Sequence, residues 1–421
     1  MSTTFTRLFA DNIPEKVFFP LAVFLPTLVH FTQPGTFALR NVLMLLGAFI
    51  LWRHKEIIPA ALKSPASLTL AGFVAVALAS ITVNGTDWFS ALKLANWLVW
   101  FGLGFAAVFC MRRFSYGLYL LPALAAVGTF AAYILAGGLG LVDTASLWNN
   151  MGRLSMDFEA PTRLGMAYSM ALALAAGVLV CSHNRSLQIT SALLLAAVFL
   201  LLFLTASRGN IFAGLAVCLL AGLRGFKLKH LAYLAGVAAA VCLALLVLAR
   251  MGSLSAVFDR AETVLTPGDN PEIITTSVPS RLYIWRIAAN GFLDHPALGV
   301  GFNQFPELYR KEAAAFFAAP PKIPKEVQVP RQTSNAHNFE LHLLIETGVP
   351  GCLLLLTFFG LIMAQGFRHR ECWPVGLAFV AIFLSMQLNF NLYIWRIGYP
   401  LMFFAGVSTA LDAKAKRPEA T

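Results

Sequence analysis

Charge is scarce in this sequence. Asp, Glu, Lys and Arg make up 12% of its 421 residues, about half the roughly 25% of an ordinary soluble domain. That shortage excludes a conventional soluble enzyme. A hydrophobic share of 58% excludes a disordered chain, which needs the opposite balance. Cysteine is scarce too: there are 6, none in a C-x-x-C or similarly close spacing. Cys110, Cys181, Cys218, Cys242 and Cys352 lie in apolar runs, where a thiol behaves as a small hydrophobe. Neither a disulfide scaffold nor a zinc module is indicated. No H-E-x-x-H, Walker loop or G-x-S-x-G elbow is present, so those metal, nucleotide and acyl-transfer signatures are missing.

What the chain has in quantity is long apolar runs. A bilayer core about 30 Å thick needs about 20 apolar residues in helical form. The sequence divides into about twelve such stretches, near residues 17–32, 37–52, 66–83, 91–110, 117–136, 163–181, 187–204, 211–223, 231–249, 345–365, 373–389 and 395–411. Backbone groups in lipid must bond within their own segment, so these stretches predict helices. They do not alternate polar and apolar residues as barrel strands would. The expected fold is therefore an all-α polytopic membrane protein. Its parts would be residues 1–249 with nine spans, a long loop subdomain over 250–340, and residues 341–421 with three spans and a tail.

The net charge of +11 follows topology. Arg53, Lys55, Arg112, Arg113, Arg185, Arg224, Lys227, Lys229, Arg368, Arg370, Lys414, Lys416 and Arg417 fall in alternate loops and the tail, in phase with Arg7 and Lys16 at the N-terminus. Loops rich in Lys and Arg stay cytoplasmic, which predicts both termini inside. No interleaved basic and aromatic pattern points to nucleic acid. The first apolar run has no small-residue cleavage site and reads as one span among many.

The opposite side carries the unusual features. Its 250–340 segment is far longer than a structureless loop normally runs, and Ser280 to Phe292 has an amphipathic helical pattern with Ser280 as the expected N-cap. Arg153, Arg163, Arg208, Arg250, Arg260, Arg281, Arg286, Arg310, Arg331 and Arg396 also fall on that side. Charge near membrane depth is costly and tends to line a substrate path. The planar fork of arginine suits phosphate oxygens, so such a set beside a membrane points to a lipid diphosphate. Thr205-Ala206-Ser207-Arg208-Gly209 is a tight connection that would hold Arg208 on a rigid turn, with Ser207 able to cap the next helix.

The sharpest segment is Asn335-Ala336-His337-Asn338-Phe339-Glu340, just before an apolar run. His337 falls at the expected start of a helix, with Ser334 or Asn335 as cap. The positive end of the helix attracts an anion and disfavours imidazolium. The ring is thus expected to be neutral and able to act as a general base toward a hydroxyl. Glu340, one turn on, can orient the ring or serve in capping. A competing pair, Asp157 and Glu159, can hold a divalent cation if its loop curls. Tyr283-Ile284-Trp285-Arg286-Ile287 recurs as Tyr393-Ile394-Trp395-Arg396-Ile397, which reads as interfacial aromatics with snorkelling arginines.

His337-Asn338, nine residues, then Gly348-Val349-Pro350-Gly351 resembles the signature of the O-antigen ligases. Ser280-Arg281, Trp285, Pro296, Gly299-Val300-Gly301 and Thr205-Ala206-Ser207-Arg208-Gly209 resemble a region shared by O-antigen ligases, O-antigen polymerases and pilin oligosaccharyltransferases. The likeness covers about residues 205–351. It implies a GT-C-class glycosyltransferase of the Gram-negative inner membrane, multi-pass, with its active site in the periplasm. Such an enzyme moves O-antigen from undecaprenyl diphosphate to lipid A–core without metal or other cofactor. On this likeness His337 is the general base. Arg208 and Arg281, with Arg286 beside them, bind the diphosphate, and Asn338, Gly348 and Gly351 support the site. A polymerase or protein O-oligosaccharyltransferase would share the donor chemistry. A transporter or flippase would place its charges near the midplane of repeated halves, whereas here they gather at one edge and no halves repeat.

Overall fold

The computed structural model describes residues 47–52, 58–110, 115–143, 147, 154, 161–225, 278–318, 333–387, 392–393 and 395–416. Among these residues the fold is helical, with no β-sheet. After a short helix at Ile58–Leu62 come α1 (Pro65–Val83), α2 (Phe89–Cys110), α3 (Leu121–Gly138), α4 (Pro161–Cys181), α5 (Arg185–Leu204) and α6 (Arg208–Gly225). Then follow α7 (Val278–Asp294), α8 (Phe305–Ala318), α9 (Phe339–Arg368), α10 (Trp373–Met386) and α11 (Trp395–Ala415). A 3₁₀ turn at Tyr116–Leu120 leads into α3.

Six helices among the described residues are long and apolar enough to cross a membrane: Pro65–Val83, Phe89–Val108, Tyr116–Gly138, Pro161–Cys181, Arg185–Leu204 and Phe339–Arg368. They correspond to six of the twelve expected spans. The stretches 211–223, 373–389 and 395–411 are also helical, as α6, α10 and α11. The stretches 17–32 and 231–249, and most of 37–52, lie outside the described residues.

Ser64 begins α1 by accepting the Ser67 N–H. Asn184 begins α5 by accepting those of Ser186 and Leu187. The Ala-rich α4 is apolar all round and is buried along nearly its whole length, as such a helix must be. It forms the centre of the bundle, against α5, α6 and α10. Small residues let helices approach where lipid supplies no hydrophobic drive between them. A Cβ on Gly104 of α2 would lie 2.2 Å from the Phe403 carbonyl oxygen of α11.

α9 does not run straight. At Gly348 the backbone takes φ 65° and ψ −171°, a region open essentially to glycine alone. The chain turns back there. Phe339 and Phe359 are twenty residues apart and would be about 30 Å apart along a straight helix, yet their rings lie 5.4 Å apart. The Cys352 thiol meets the Glu340 carbonyl oxygen at 3.8 Å. Pro350 then falls in the first turn of the restarted helix, where its missing N–H costs no bond. The sequence places a span at 345–365 with His337 just before it. In the structure residues 339–347 form a separate helical arm folded beside the long helix. His337 is consequently recessed toward the level of Phe359, instead of standing at the bundle's rim.

The turn is locked from outside. Val349 N–H donates to the Pro296 carbonyl at 3.0 Å, and Val300 N–H to that of Ile345 at 2.7 Å. The Ser80 hydroxyl of α1 reaches the carbonyls of Leu298 (2.6 Å) and Glu346 (2.9 Å). Breaking a helix frees polar backbone groups that must find partners in a dry interior. The Pro296 and Gly299-Val300 part of the motif supplies them. Beside the main core, Ile284, Ile287, Ala288, Phe305, Tyr309, Ala313, Ala336 and Ile345 form a second apolar cluster. It joins α7 and α8 to the arm of α9.

Candidate functional site

One end of the bundle collects the residues singled out by sequence. α6 begins beside α4, because Asn210 Nδ2 donates to the Thr162 carbonyl at 2.8 Å. α4 lies along α10, with Gly177 near the C-terminus of α4 against Pro374 at the start of α10. The start of α4 therefore meets the end of α10. At that end Gln387 Nε2 donates to Glu340 Oε1 at 3.0 Å, in the first turn of the α9 arm. Arg208, at the start of α6, thus belongs to the same end as His337. The opposite end holds Arg185, Arg368, Arg370, Lys414 and Lys416. There the Asp412 carboxylate meets His369 Nε2 at 2.8 Å and Lys416 Nζ at 2.5 Å.

Strain is concentrated at the first end. Among the described residues the non-glycine residues with positive φ are Ala206 (47°), Asn303 (65°) and His337 (50°). An L-residue in the left-handed region costs about 1–2 kcal/mol, and such residues cluster at functional sites. Ala206 lies two residues before Arg208. Asn303 lies just before α8. His337 is the expected base.

His337 is half-buried and its backbone is held from both sides. Its N–H donates to Asn335 Oδ1 at 2.9 Å. The preceding Ala336 carbonyl accepts the Trp285 indole N–H at 2.9 Å, and the Ala336 N–H donates to His342 Nδ1 at 3.3 Å. The helix itself is capped by Asn338, whose side chain accepts the Leu341 N–H at 2.8 Å. This corrects the expectation that Ser334 or Asn335 is the cap. Asn335 instead shapes the turn just before His337, and Asn338 caps the arm. Glu340, expected either to orient the His337 ring or to serve in capping, accepts from Gln387 through Oε1.

Arg281 is on α7, one turn before Trp285, so the two side chains share a face. It is half-buried, and its Nε is buried with no hydrogen-bond partner among the described residues. Burial pulls its basicity below the ordinary arginine value, the direction expected when a cation is desolvated. A buried donor left unsatisfied is costly; an anion bound there would relieve it. Arg286 is exposed, on a different face from Arg281. α7 begins at Val278, so Ser280 lies inside its first turn and does not cap it. Trp285 bonds to the loop before His337, which corrects its reading as a plain interfacial aromatic. The side chains of Trp395 and Arg396 lie outside the described residues.

Arg208 is exposed, on a turn built from polar side chains. Asn210 Nδ2 donates to the Ser207 hydroxyl at 2.8 Å, and Ser207 N–H meets Thr205 Oγ1 at 3.3 Å. Asn210 was not legible as a site residue, because one Asn in an apolar helix carries no spacing signal. Gly348 and Gly351 are accounted for by the turn in α9. A Cβ on Gly348 would sit 2.4 Å from the Ala297 carbonyl oxygen, and one on Gly351 2.3 Å from Thr347 Oγ1. Asp157 and Glu159 lie outside the described residues. Among the described residues no group of three His, Cys, Asp or Glu side chains is arranged to hold a metal.

Sequence reasoning also missed a buried network around Glu346, farther along the same arm. The Glu346 carboxylate accepts the N–H groups of Asn303 (2.9 Å) and Phe305 (3.1 Å) and the Tyr393 hydroxyl (2.5 Å). His342 Nε2 lies 3.4 Å from it. Lys93 of α2 donates to Asn303 Oδ1 and stands 5.4 Å from the Tyr393 ring centre. The signal available was the His342–Glu346 spacing of four, which puts both on one helical face.

The fold and this polar end define a polytopic helical membrane protein with a recessed, cation-bearing site. Residues 170–356 match the family model described as O-antigen ligase, which bears out the resemblance drawn from the motifs. The matched segment contains His337, Asn338, Arg208, Arg281, Arg286, Gly348 and Gly351. No curated protein matches the chain.

Proposed function

We propose that this protein transfers O-antigen from undecaprenyl diphosphate to lipid A–core at the periplasmic face of the inner membrane. Supporting this is one arrangement above all. A half-buried His337, strained at φ 50°, is bonded through its neighbour Ala336 to Trp285, one helical turn from the desolvated Arg281. A base and a cation for phosphate are thus carried by two elements packed on each other.

In the reaction, an acceptor hydroxyl attacks the anomeric carbon of the donor as the bond to the diphosphate breaks. His337 takes the hydroxyl proton. Arg281, desolvated on α7, compensates the charge growing on the departing diphosphate where a fixed cation acts strongly. The exposed Arg208 adds to that field, whereas Arg286 is exposed on another face of α7. A single displacement inverts the anomeric configuration. Both lipids reach the site sideways from the bilayer.

The deciding experiment is purified protein in detergent with both lipids. Polysaccharide joined to core is the expected product. Lengthening of polymer on the carrier would make the protein a polymerase, transfer to a protein would make it an oligosaccharyltransferase, and no covalent change would indicate transport.

Two results follow in the same assay. Arg281→Lys keeps the charge and loses the planar fork. A charge-assisted hydrogen bond contributes about 1.5–3 kcal/mol, so kcat/KM for the donor should fall by about 10–150-fold, with unchanged protein abundance. Loss of the protein instead would assign Arg281 a structural role. Activity should also survive excess chelator in full; loss on chelation and recovery with a divalent cation would restore the Asp157 and Glu159 reading.

A further inference from the structure

His337 does not hold its own conformation. Its left-handed backbone depends on the preceding residue, and both backbone polar groups of that residue are taken by side chains from elsewhere. Trp285 takes the Ala336 carbonyl, and His342 Nδ1 takes the Ala336 N–H at 3.3 Å. To accept, Nδ1 must carry no proton. The proton of a neutral ring then sits on Nε2, which faces Glu346 Oε1 at 3.4 Å.

His342 is buried at 1% exposure and Glu346 at 0%. Two aromatic rings flank His342, Phe305 at 5.5 Å and Tyr393 at 5.4 Å between centres. Glu346 is itself fixed by the N–H groups of Asn303 and Phe305 and by Tyr393. A proton on Nε2 is favoured by the nearby carboxylate charge, and Nδ1 is left to the loop as an acceptor.

We propose that His342 is a positioning residue: a buried ring beside the Glu346 carboxylate that pins the Ala336 N–H and so sets where the imidazole of His337 stands. The idea rests on the function proposed above. It adds an acting residue that the His-to-Gly signature does not contain, and explains why α8, α9 and the chain before α11 converge on one buried carboxylate. Loss of the Nδ1 acceptor frees the Ala336 N–H, and His337 relaxes from its strained conformation. A displacement of about 1 Å at a reacting group can cost on the order of 10²-fold in rate.

The test compares three variants. His342→Asn places an amide oxygen close to the position of Nδ1 and keeps an acceptor for Ala336. His342→Gln extends past that position, toward Glu346, and loses it. His342→Ala removes both contacts. In the two-lipid assay, kcat should fall about 10²-fold in His342→Gln and His342→Ala with little change in donor KM. His342→Asn should recover most of it. Hydrogen exchange over residues 333–341 gives an answer independent of turnover. The Ala336 amide should exchange faster in His342→Gln than in wild type or His342→Asn. Equal exchange and equal kcat in the Asn and Gln variants would overturn the proposal, as would a folded His342→Ala protein with wild-type kcat. If wild type joins no lipids but the exchange pattern holds, the positioning contact stands and the proposed reaction falls.

Discussion

Replacing His337 with alanine should lower the rate of polysaccharide transfer by about 10²–10⁴-fold, the usual contribution of a positioned general base. Protein abundance and thermal stability should stay near wild type. The His337 side chain is not a member of either apolar core cluster. The hydrogen bonds that shape its turn run through the backbone and through Asn335, Trp285 and His342. Alanine leaves those donors and acceptors in place and removes only the ring. Left-handed φ is somewhat less favourable for alanine than for histidine, a small cost beside the expected catalytic loss. Purified variant and wild type, compared by thermal unfolding and then by product formed from both lipids, give the answer. A folded His337→Ala protein with normal transfer would end its assignment as base.

The second large effect is on folding. Gly348→Ala should destabilise the protein by about 3 kcal/mol or more, counting backbone strain and the forced shift of a neighbouring peptide together. At φ 65° and ψ −171° an L-residue is strained whatever space surrounds it. Here there is none: the new Cβ would lie 2.4 Å from the Ala297 carbonyl oxygen, which is backbone and is tied to the same turn. Gly351→Ala should be milder, since its closest neighbour is the Thr347 side chain, which can change rotamer. A Cβ added to Gly360, in the same helix, would meet nothing within 4 Å. Gly360→Ala should match or slightly exceed wild type, because alanine favours helix over glycine by up to about 1 kcal/mol. Thermal midpoints in one detergent, in the order Gly360→Ala, Gly351→Ala, Gly348→Ala, test the whole ranking. A Gly348→Ala protein as stable as wild type would mean that the chain does not turn back there.

Much of the architecture was legible because it follows from solvent. Runs of about 20 apolar residues must be helices in lipid, and the described helices from Pro65–Val83 to Trp395–Ala415 fall close to the stretches read from sequence. α7 was readable from its amphipathic pattern, starting two residues early at Val278. α8 was not separated from its loop, since Phe305–Ala318 mixes charged residues with alanines and lies among prolines.

The functional residues were legible in part. Residue type and spacing pointed to His337 and to arginines on one side of the membrane. They could not show that Asn338 rather than Asn335 caps the helix, because both are good caps and only the direction of the incoming backbone selects one. Nor could they show that Arg281 is partly buried while Arg208 and Arg286 are exposed. Its desolvation depends on packing of α7 against the α9 arm, and no local pattern encodes that.

By itself, the sequence determined that this is a helical membrane protein with a polar face, and which residue types stand there to do chemistry. Those outcomes rest on composition and periodicity, which act within each segment. Only the tertiary structure decided that α9 doubles back at Gly348, that His337 is thereby recessed, and that His342 and Glu346 stand behind it. Each of these depends on contacts between residues far apart in the chain, where a bond forms only once packing has excluded every other partner.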